Sequence, residues 1–491
     1  MKRLSGNSSA SFSSDNTSIT AIQYSDKAPT AAVMADTNSL ISTNNSKKPV
    51  YAWFDNGTIK WWSEAGKVSA GTDLSYLCYS MEALADISGL SDWNTENVTG
   101  MRMTFNNCSN LTNLKPLAKW NTGNVTKIMS MFENCNNLVN LQGLENWNTS
   151  KVTSMYEMFK GCSGLKNLNE LAYWDVGNVT NMSIMFYNCS SLKDLNGLSN
   201  WDTRKVASIS GMFCNCSNLS DIYGLLKWNT QNISNMGPAT VGRNDSCGVF
   251  SNCASLTNLS GLTNWDTSKV TNMRYMFDRC SQLADLNGLS NWNTGKVADM
   301  RYMFENCSSL TDLDALSSWI TRNVTNMYDM FCGCSSLKDL NGLVNWDTGN
   351  VTNMCGMFCG CSSLKDLNGL ANWDVSKVTD MNGIFEGCRL LTDLSGLSNW
   401  DTGNVTNMNS MFMECSSLQN LEPISNWNTA NVIIMCLVFK DCSALTETSG
   451  INSWNITKVA DFERMFSNCP SHPEFTKRAG TWSDGTFQPT T

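Results

Sequence analysis

Apolar residues return along this chain at a fixed interval of 27 positions. The interval is marked by Trp93, Trp120, Trp147, Trp174, Trp201 and Trp228, then by Trp265, Trp292, Trp319, Trp346, Trp373, Trp400, Trp427 and Trp454. One step, from Trp228 to Trp265, is longer by ten residues. With each tryptophan as position 0, apolar side chains follow at positions 5, 8, 11, 12, 15, 18, 21 and 24. In the unit opened by Trp265 these are Val270, Met273, Met276, Phe277, Cys280, Leu283, Leu286 and Leu289. The first half of that string has the spacing of one face of a short helix. Thr271, Thr325 and Thr352, at position 6, are placed to cap its first free amides. The second half, Leu-x-x-Leu-x-Gly-Leu, predicts a very short strand and a turn, with Gly197, Gly288, Gly342, Gly369 and Gly396 at a tight bend. The Asp/Asn-Thr pair after each tryptophan, such as Asp266 and Thr267, is turn chemistry as well.

A single unit of this kind cannot offset the entropy of ordering its own backbone with the few side chains it buries. Neighbouring units must therefore stack. The predicted fold is an α/β repeat solenoid, a right-handed coil of about fourteen 27-residue repeats with short strands and short helices. Hairpin caps are expected at both ends. Asn56-Gly57 separates Tyr51 to Phe54 from Thr58 to Trp62, and Asp484-Gly485 separates Trp482 from Phe487; both dipeptides favour two-residue hairpin turns. Residues 74–92 form a leading half repeat in which Cys78 takes the phenylalanine place and Met81 the cysteine place. The expected organisation is a disordered polar tail over 1–47, a hairpin cap and half repeat over 48–92, the solenoid over 93–469 with an insertion at 237–248, and a second cap over 470–491.

Composition narrows the partners. There are 34 Lys and Arg against 43 Asp and Glu, a net charge of -9, with no basic run. Nucleic acid and anionic membrane surfaces both need clustered basic residues, so neither is expected to bind. No stretch approaches the roughly 18 apolar residues of a membrane span, and residues 1–47 lack the apolar core of a signal peptide. Fourteen of the 21 cysteines occupy position 15 of successive repeats. That regularity predicts a column of buried thiols used as small apolar groups. Cys332 and Cys359 share position 13 of adjacent repeats, within reach of a disulfide, and Cys355 with Cys359 hints at a soft-metal pair.

Catalytic chemistry has little to work with. The one histidine, His472, lies between prolines and is expected in an exposed loop; no phosphate loop, dinucleotide fingerprint or zinc signature occurs. The chain is therefore expected not to be an enzyme and to need no cofactor. Position 20 does carry Asp285, Asp312, Asp339, Asp366 and Asp393 in five consecutive repeats. Stacked about 5 Å apart they would repel by roughly 3 kcal/mol per neighbour at an effective dielectric of 20. Either calcium neutralises them or each accepts a backbone amide in its turn, a reading that also suits the asparagines found there in other repeats. Six Asn-Val-Thr triplets, beginning at Asn97, Asn124, Asn178, Asn323, Asn350 and Asn404, are read as turn and cap residues. The insertion offers Arg243, Asn244 and Asp245 as binding side chains on a loop.

Strings such as Trp265-Asp-Thr-Ser-Lys-Val-Thr-Asn-Met-Arg-Tyr-Met-Phe, closed by Cys280-Ser-Gln-Leu, resemble the BspA-like leucine-rich-repeat surface proteins, which include repeats of mycoplasma surface lipoproteins. The similarity spans about residues 51–489. It implies a curved leucine-rich-repeat solenoid and a non-catalytic surface or secreted protein, monomeric, mediating adhesion to host extracellular matrix or surface proteins, glycans or other cells. The alternative is an intracellular protein-interaction scaffold, which the run of reduced-looking cysteines and the lack of a signal sequence would suit.

Overall fold

The computed structural model describes residues 16–42, 46–238 and 247–490. They fall into two compact units, Met1–Ile233 and Ser234–Thr491.

The first unit opens with a three-stranded sheet of β1 (Ala21–Tyr24), β2 (Val50–Asp55) and β3 (Thr58–Ser63), in the order β1-β3-β2. β2 and β3 form the hairpin expected at Asn56-Gly57, both residues having positive φ, 46° and 80°. β1 joins β3 in parallel and a short helix, α1 (Ala31–Ala35), follows it. From residue 16 onward, then, the stretch expected to be tail carries regular elements. The reason is local: Ile19, Ala21, Ile22 and Ile41 are buried, apolar anchors that the bulk composition conceals. Trp61 is buried in the sheet, its indole N–H donating to the Gly89 carbonyl at 2.7 Å. A parallel pair, β4 (Val68–Ser69) with β5 (Trp93–Asn94), leads into the first full coil.

Within each unit the coils stack through their periodic side chains. Phe105, Phe132, Phe159, Phe186 and Phe213 form a ladder with centroids 5.6 to 5.8 Å apart and nearly parallel rings. The second unit has its own ladder, from Phe250 through Phe331 to Phe412 and Phe439. Rings repeated at the spacing of adjacent backbones settle into offset stacking. Tryptophans of successive coils stack in parallel, as Trp292 does on Trp319 at 6.4 Å, and tie a coil to the one before: Trp292 Nε1 donates to the Leu262 carbonyl at 3.2 Å. The position-15 thiols do likewise, Cys280 Sγ donating to the Phe250 carbonyl at 3.2 Å. They are small apolar groups and hydrogen-bond donors at once. Cys108 Sγ donates to the Cys78 carbonyl at 3.1 Å, which confirms Cys78 in the phenylalanine place.

Where the spacing predicted a short α-helix there is a run of turns. Tyr275 and Arg279, at positions 10 and 14, both have φ of 57°, a left-handed backbone that an α-helix cannot contain. The N–H groups of Met273, Tyr275, Phe277 and Arg279 donate to the carbonyls of Asp299, Arg301, Met303 and Glu305 in the next coil, at 2.7 to 3.1 Å. Those of Met276, Asp278 and Cys280 turn back three residues within their own coil. An α-helix would have kept every such bond inside one coil. The Thr271 hydroxyl is accordingly no cap; it donates to the Ser234 carbonyl of the preceding coil at 3.3 Å.

The helical element lies in the other half. Three-residue 3₁₀ turns recur at the same register, as at Asn287–Leu289, Asp314–Leu316 and Asn341–Leu343. The strands reduce to isolated parallel bridges, for example Asn272↔Asp299 and Asn258↔Asp285. Gly288 is needed for closeness and not for a bend: a Cβ there would lie 1.9 Å from the Leu259 carbonyl oxygen of the preceding coil. Three side-chain turns then fix the path of the coil opened by Trp265. Asp266 Oδ1 accepts from the Ser268 N–H, Asn272 Oδ1 from Arg274 and Asp285 Oδ1 from Asn287, at 2.8 to 3.0 Å. Asp and Asn accept equally well in such turns.

The second unit ends in the expected hairpin, β6 (Gly480–Ser483) with β7 (Thr486–Pro489). His472 is not the exposed loop residue predicted. It stacks on Trp482, centroids 5.0 Å apart, and meets Phe466 edge-on.

Candidate binding surface

In each coil the buried positions and the three turn positions repeat, so the chemistry that differs from coil to coil must lie elsewhere. It lies at positions 9, 10 and 13, along the stretch of turns. In the coils opened by Trp265 through Trp400 position 9 holds Arg274, Arg301, Tyr328, Cys355, Asn382 and Asn409; position 10 holds Tyr275, Tyr302, Asp329, Gly356, Gly383 and Ser410; position 13 holds Asp278, Glu305, Cys332, Cys359, Glu386 and Met413. These side chains form columns along the stack, most of them half-buried and Asp278, Cys355 and Ser410 buried.

Three neighbouring coils build the densest patch. Tyr275 and Tyr302 stack at 4.4 Å, and Tyr302 meets Tyr328 edge-on at 5.1 Å. On one side of the rings Arg301 pairs with Asp299, Nη2 to Oδ2 at 2.7 Å, while Arg274 approaches the same carboxylate at 3.6 Å. On the other side stand Asp278, Glu305 and Asp329. Burial pushes the carboxyls of Asp278 and Asp329 up to about 6. That of Glu305 rises to about 7, through burial first and then the neighbouring Asp278 and Asp329 charges. Asp278 Oδ2 accepts from the Ser251 hydroxyl at 3.1 Å, whereas its Oδ1 is buried without a hydrogen-bond partner.

The position-20 aspartates sit on a different face. Asp285, Asp339, Asp366 and Asp393 each accept the N–H of the residue two further on, at 2.8 to 3.2 Å. Asp312 Oδ2 accepts from the Thr311 hydroxyl. Among the described residues no three His, Cys, Asp or Glu side chains converge as ligands for one metal ion. Arg243, Asn244 and Asp245 lie outside the described residues. The flanks of their insertion meet, the Val249 N–H donating to the Met236 carbonyl at 3.1 Å, the same bond that Met276 makes to Met273 in an uninterrupted coil. The Asn-Val-Thr asparagines serve the stack: Asn323 and Asn350 donate side-chain N–H to the Gly295 and Arg322 carbonyls of the preceding coils.

The position-15 cysteines are free thiols, and so are Cys332, Cys355 and Cys359. Cys355 and Cys359 do not share a helix, since Gly356 between them has φ of 62°. None of the described helices is long and apolar enough to cross a membrane. The columns at positions 9, 10 and 13 were missed in the sequence, although the change of residue type from coil to coil there was visible in it.

Two solved structures are among those similar to this chain. One is a leucine rich cell surface protein from Faecalibacterium prausnitzii A2-165, 17% identical over 66% of this chain and 78% of that one, with a TM-score of 0.27. The other is a leucine-rich repeat protein from Eubacterium ventriosum ATCC 27560, 16% identical over 90% of this chain and 98% of that one, with a TM-score of 0.35. No functionally curated protein is detectably similar. The family described as "Mycoplasma protein of unknown function, DUF285" matches residues 56–162, 136–241, 244–366, 335–422 and 391–485. With nearly the whole repeat region matched, the chain belongs to the DUF285 family.

Proposed function

We propose that this chain is a non-catalytic binding protein, at the cell surface or secreted, that holds host proteins, glycans or other cells on its repeated face. The observation that carries this reading is the contrast within one coil: core and turn positions repeat, while positions 9, 10 and 13 present a different set of side chains in each coil of the second unit. Binding residues commonly sit on segments that a rigid scaffold positions. Aromatic and arginine side chains such as Tyr275, Tyr302, Arg274 and Arg301 are the types most enriched where protein partners are anchored. The insertion that contains Arg243, Asn244 and Asp245 is a second contact in this proposal, and calcium is not required by it. The test is a binding assay of the purified chain against extracellular matrix proteins, mucins and intact cells, repeated with Tyr275→Ser/Tyr302→Ser. Binding that the double substitution weakens supports the reading; uniformly negative binding overturns it.

The free thiols at position 15 favour a second reading, an intracellular scaffold. Fractionating the native cells separates the two, since a scaffold stays with the soluble intracellular fraction and a surface protein is cleaved by protease added outside intact cells.

A further inference from the structure

Of the cysteines in the columns at positions 9, 10 and 13, Cys332 and Cys359 alone stand at the same position of adjacent coils. Both are half-buried, unlike the position-15 thiols beside them. The backbone holds them side by side. The N–H groups flanking Cys332, those of Phe331 and Gly333, donate to the carbonyls of Met357 and Cys359 at 2.9 and 2.6 Å. Next to the pair, Gly333 and Gly360 come so close that a Cβ on Gly360 would lie 3.5 Å from the Gly333 Cα. Backbones tied in this way run about 4.7 to 4.9 Å apart, inside the roughly 4.4 to 6.8 Å range of Cα separations that a disulfide spans.

We propose that Cys332 and Cys359 form a reversible dithiol/disulfide site in the position-13 column, oxidised by low-molecular-weight disulfides. The site does not depend on the binding role proposed above. Cys359 is the attacking thiol, because the neighbouring Cys332 holds its thiol below the usual value, while Cys359 and burial push Cys332 up. The Cys359 thiolate attacks one sulfur of the small disulfide RSSR, forming a Cys359–S–SR mixed disulfide and expelling RS⁻. Cys332 then loses its proton to water, attacks the Cys359 sulfur and expels the second RS⁻. Two cysteine thiols are oxidised, one RSSR is reduced to two RSH, and two coils become cross-linked. The neighbouring Cys334 and Cys361 do not compete, since both are fully buried and donate to the carbonyls of Phe304 and Phe331.

The full chain, fully reduced, would be incubated with oxidised glutathione under native conditions, alkylated, digested and sequenced by tandem mass spectrometry. The expected product links the peptide containing Cys332 to that containing Cys359, with the position-15 cysteines still alkylatable after unfolding. A brief iodoacetamide pulse on the reduced native chain should label Cys359 at least about tenfold faster than any position-15 cysteine. Cys332→Ser should leave Cys359 as a stable mixed disulfide with glutathione, a readout that does not rely on the cross-link itself. Linkage through Cys355, or labelling of Cys359 no faster than of Cys334, would overturn the proposal.

Discussion

The sulfhydryl of Cys334 donates to the carbonyl of Phe304, thirty residues earlier and one coil back, at 3.2 Å. Burial pushes this thiol up to about 12, so at pH 8 only about one part in ten thousand is thiolate, the form that reacts. Iodoacetamide at pH 8 should therefore leave Cys334 unmodified in the native chain and label it fully in denaturant. Cys334→Ala, which removes both the donor and the volume, should cost about 1 to 2 kcal/mol in reduced denaturant unfolding. Rapid native labelling, or a silent substitution, would contradict the buried ladder.

Gly288→Ala places a Cβ against a backbone oxygen, which cannot move aside as a side-chain tip can. A loss of about 1 to 3 kcal/mol or more is expected from such overpacking. Gly295→Ala is the control. Its nearest neighbour is the Asn293 side-chain oxygen at 3.2 Å, and the change should stay within about 0.5 kcal/mol. Thermal unfolding of the two variants side by side decides whether the recurrent glycine serves the approach of neighbouring coils.

Phe331 stacks between Phe304 and Phe358, at 5.6 and 5.8 Å. Phe331→Ala should cost about 3 to 5 kcal/mol. Because each coil is coupled mainly to its neighbours, the damage should be local. Limited proteolysis should cut near the substitution and leave resistant fragments on either side. A chain that still melts as one indivisible unit would argue against nearest-neighbour coupling here.

Asp278, Glu305 and Asp329 keep their protons to higher pH when folded than their ordinary values near 4 allow when unfolded. Between about pH 4 and 7 the folded chain thus binds more protons than the unfolded one, and stability falls as pH rises through that window. The denaturant midpoint should be higher at pH 5 than at pH 7.5. Glu305→Gln should raise the value at pH 7.5 and flatten the difference. A midpoint that climbs steadily from pH 5 to 7.5 in both proteins would show that these carboxyls are not held as described.

Asp339 Oδ1 accepts the Asn341 N–H at 3.1 Å, a task an asparagine performs without the charge. Asp339→Asn should be neutral or slightly stabilising, whereas Asp339→Ala should cost about 0.5 to 2 kcal/mol, as loss of a comparable side-chain cap does. Adding calcium or a chelator should leave the melting temperature unchanged. A calcium-dependent rise that Asp339→Asn abolishes would return the position-20 column to the role of a metal site.

The stacked core was legible because a buried column demands the same side chain in every coil: Trp, Phe and Cys announce themselves by period alone. The helix expected over Val270 to Cys280 was not, because the spacing of Met273, Met276, Phe277 and Cys280 suits a helical face and a run of alternating turns equally well. What separates them is the backbone at positions 10 and 14, and the clue is the Asn or Gly at position 14, as in Asn306, Gly333 and Gly360. Thr267 was read as turn chemistry, yet it is buried and its hydroxyl donates to the Asn293 carbonyl of the next coil at 3.0 Å. A hydroxyl beside an Asx residue gives no sign of which partner it will choose. The candidate surface stayed hidden for the opposite reason, since a search for what recurs passes over the positions that do not.

Within each unit the tryptophan N–H always reaches backward, from Trp346 to the Leu316 carbonyl and from Trp373 to that of Leu343. Trp93, the first of the series, has an indole nitrogen buried with no partner. For this bond a coil uses a carbonyl its predecessor offers, and offers the equivalent carbonyl to its successor. A duplicated stretch of 27 residues inserted in register finds its acceptor waiting and supplies the one displaced. For this contact, a change of coil number by one 27-residue unit needs no redesign of the junction.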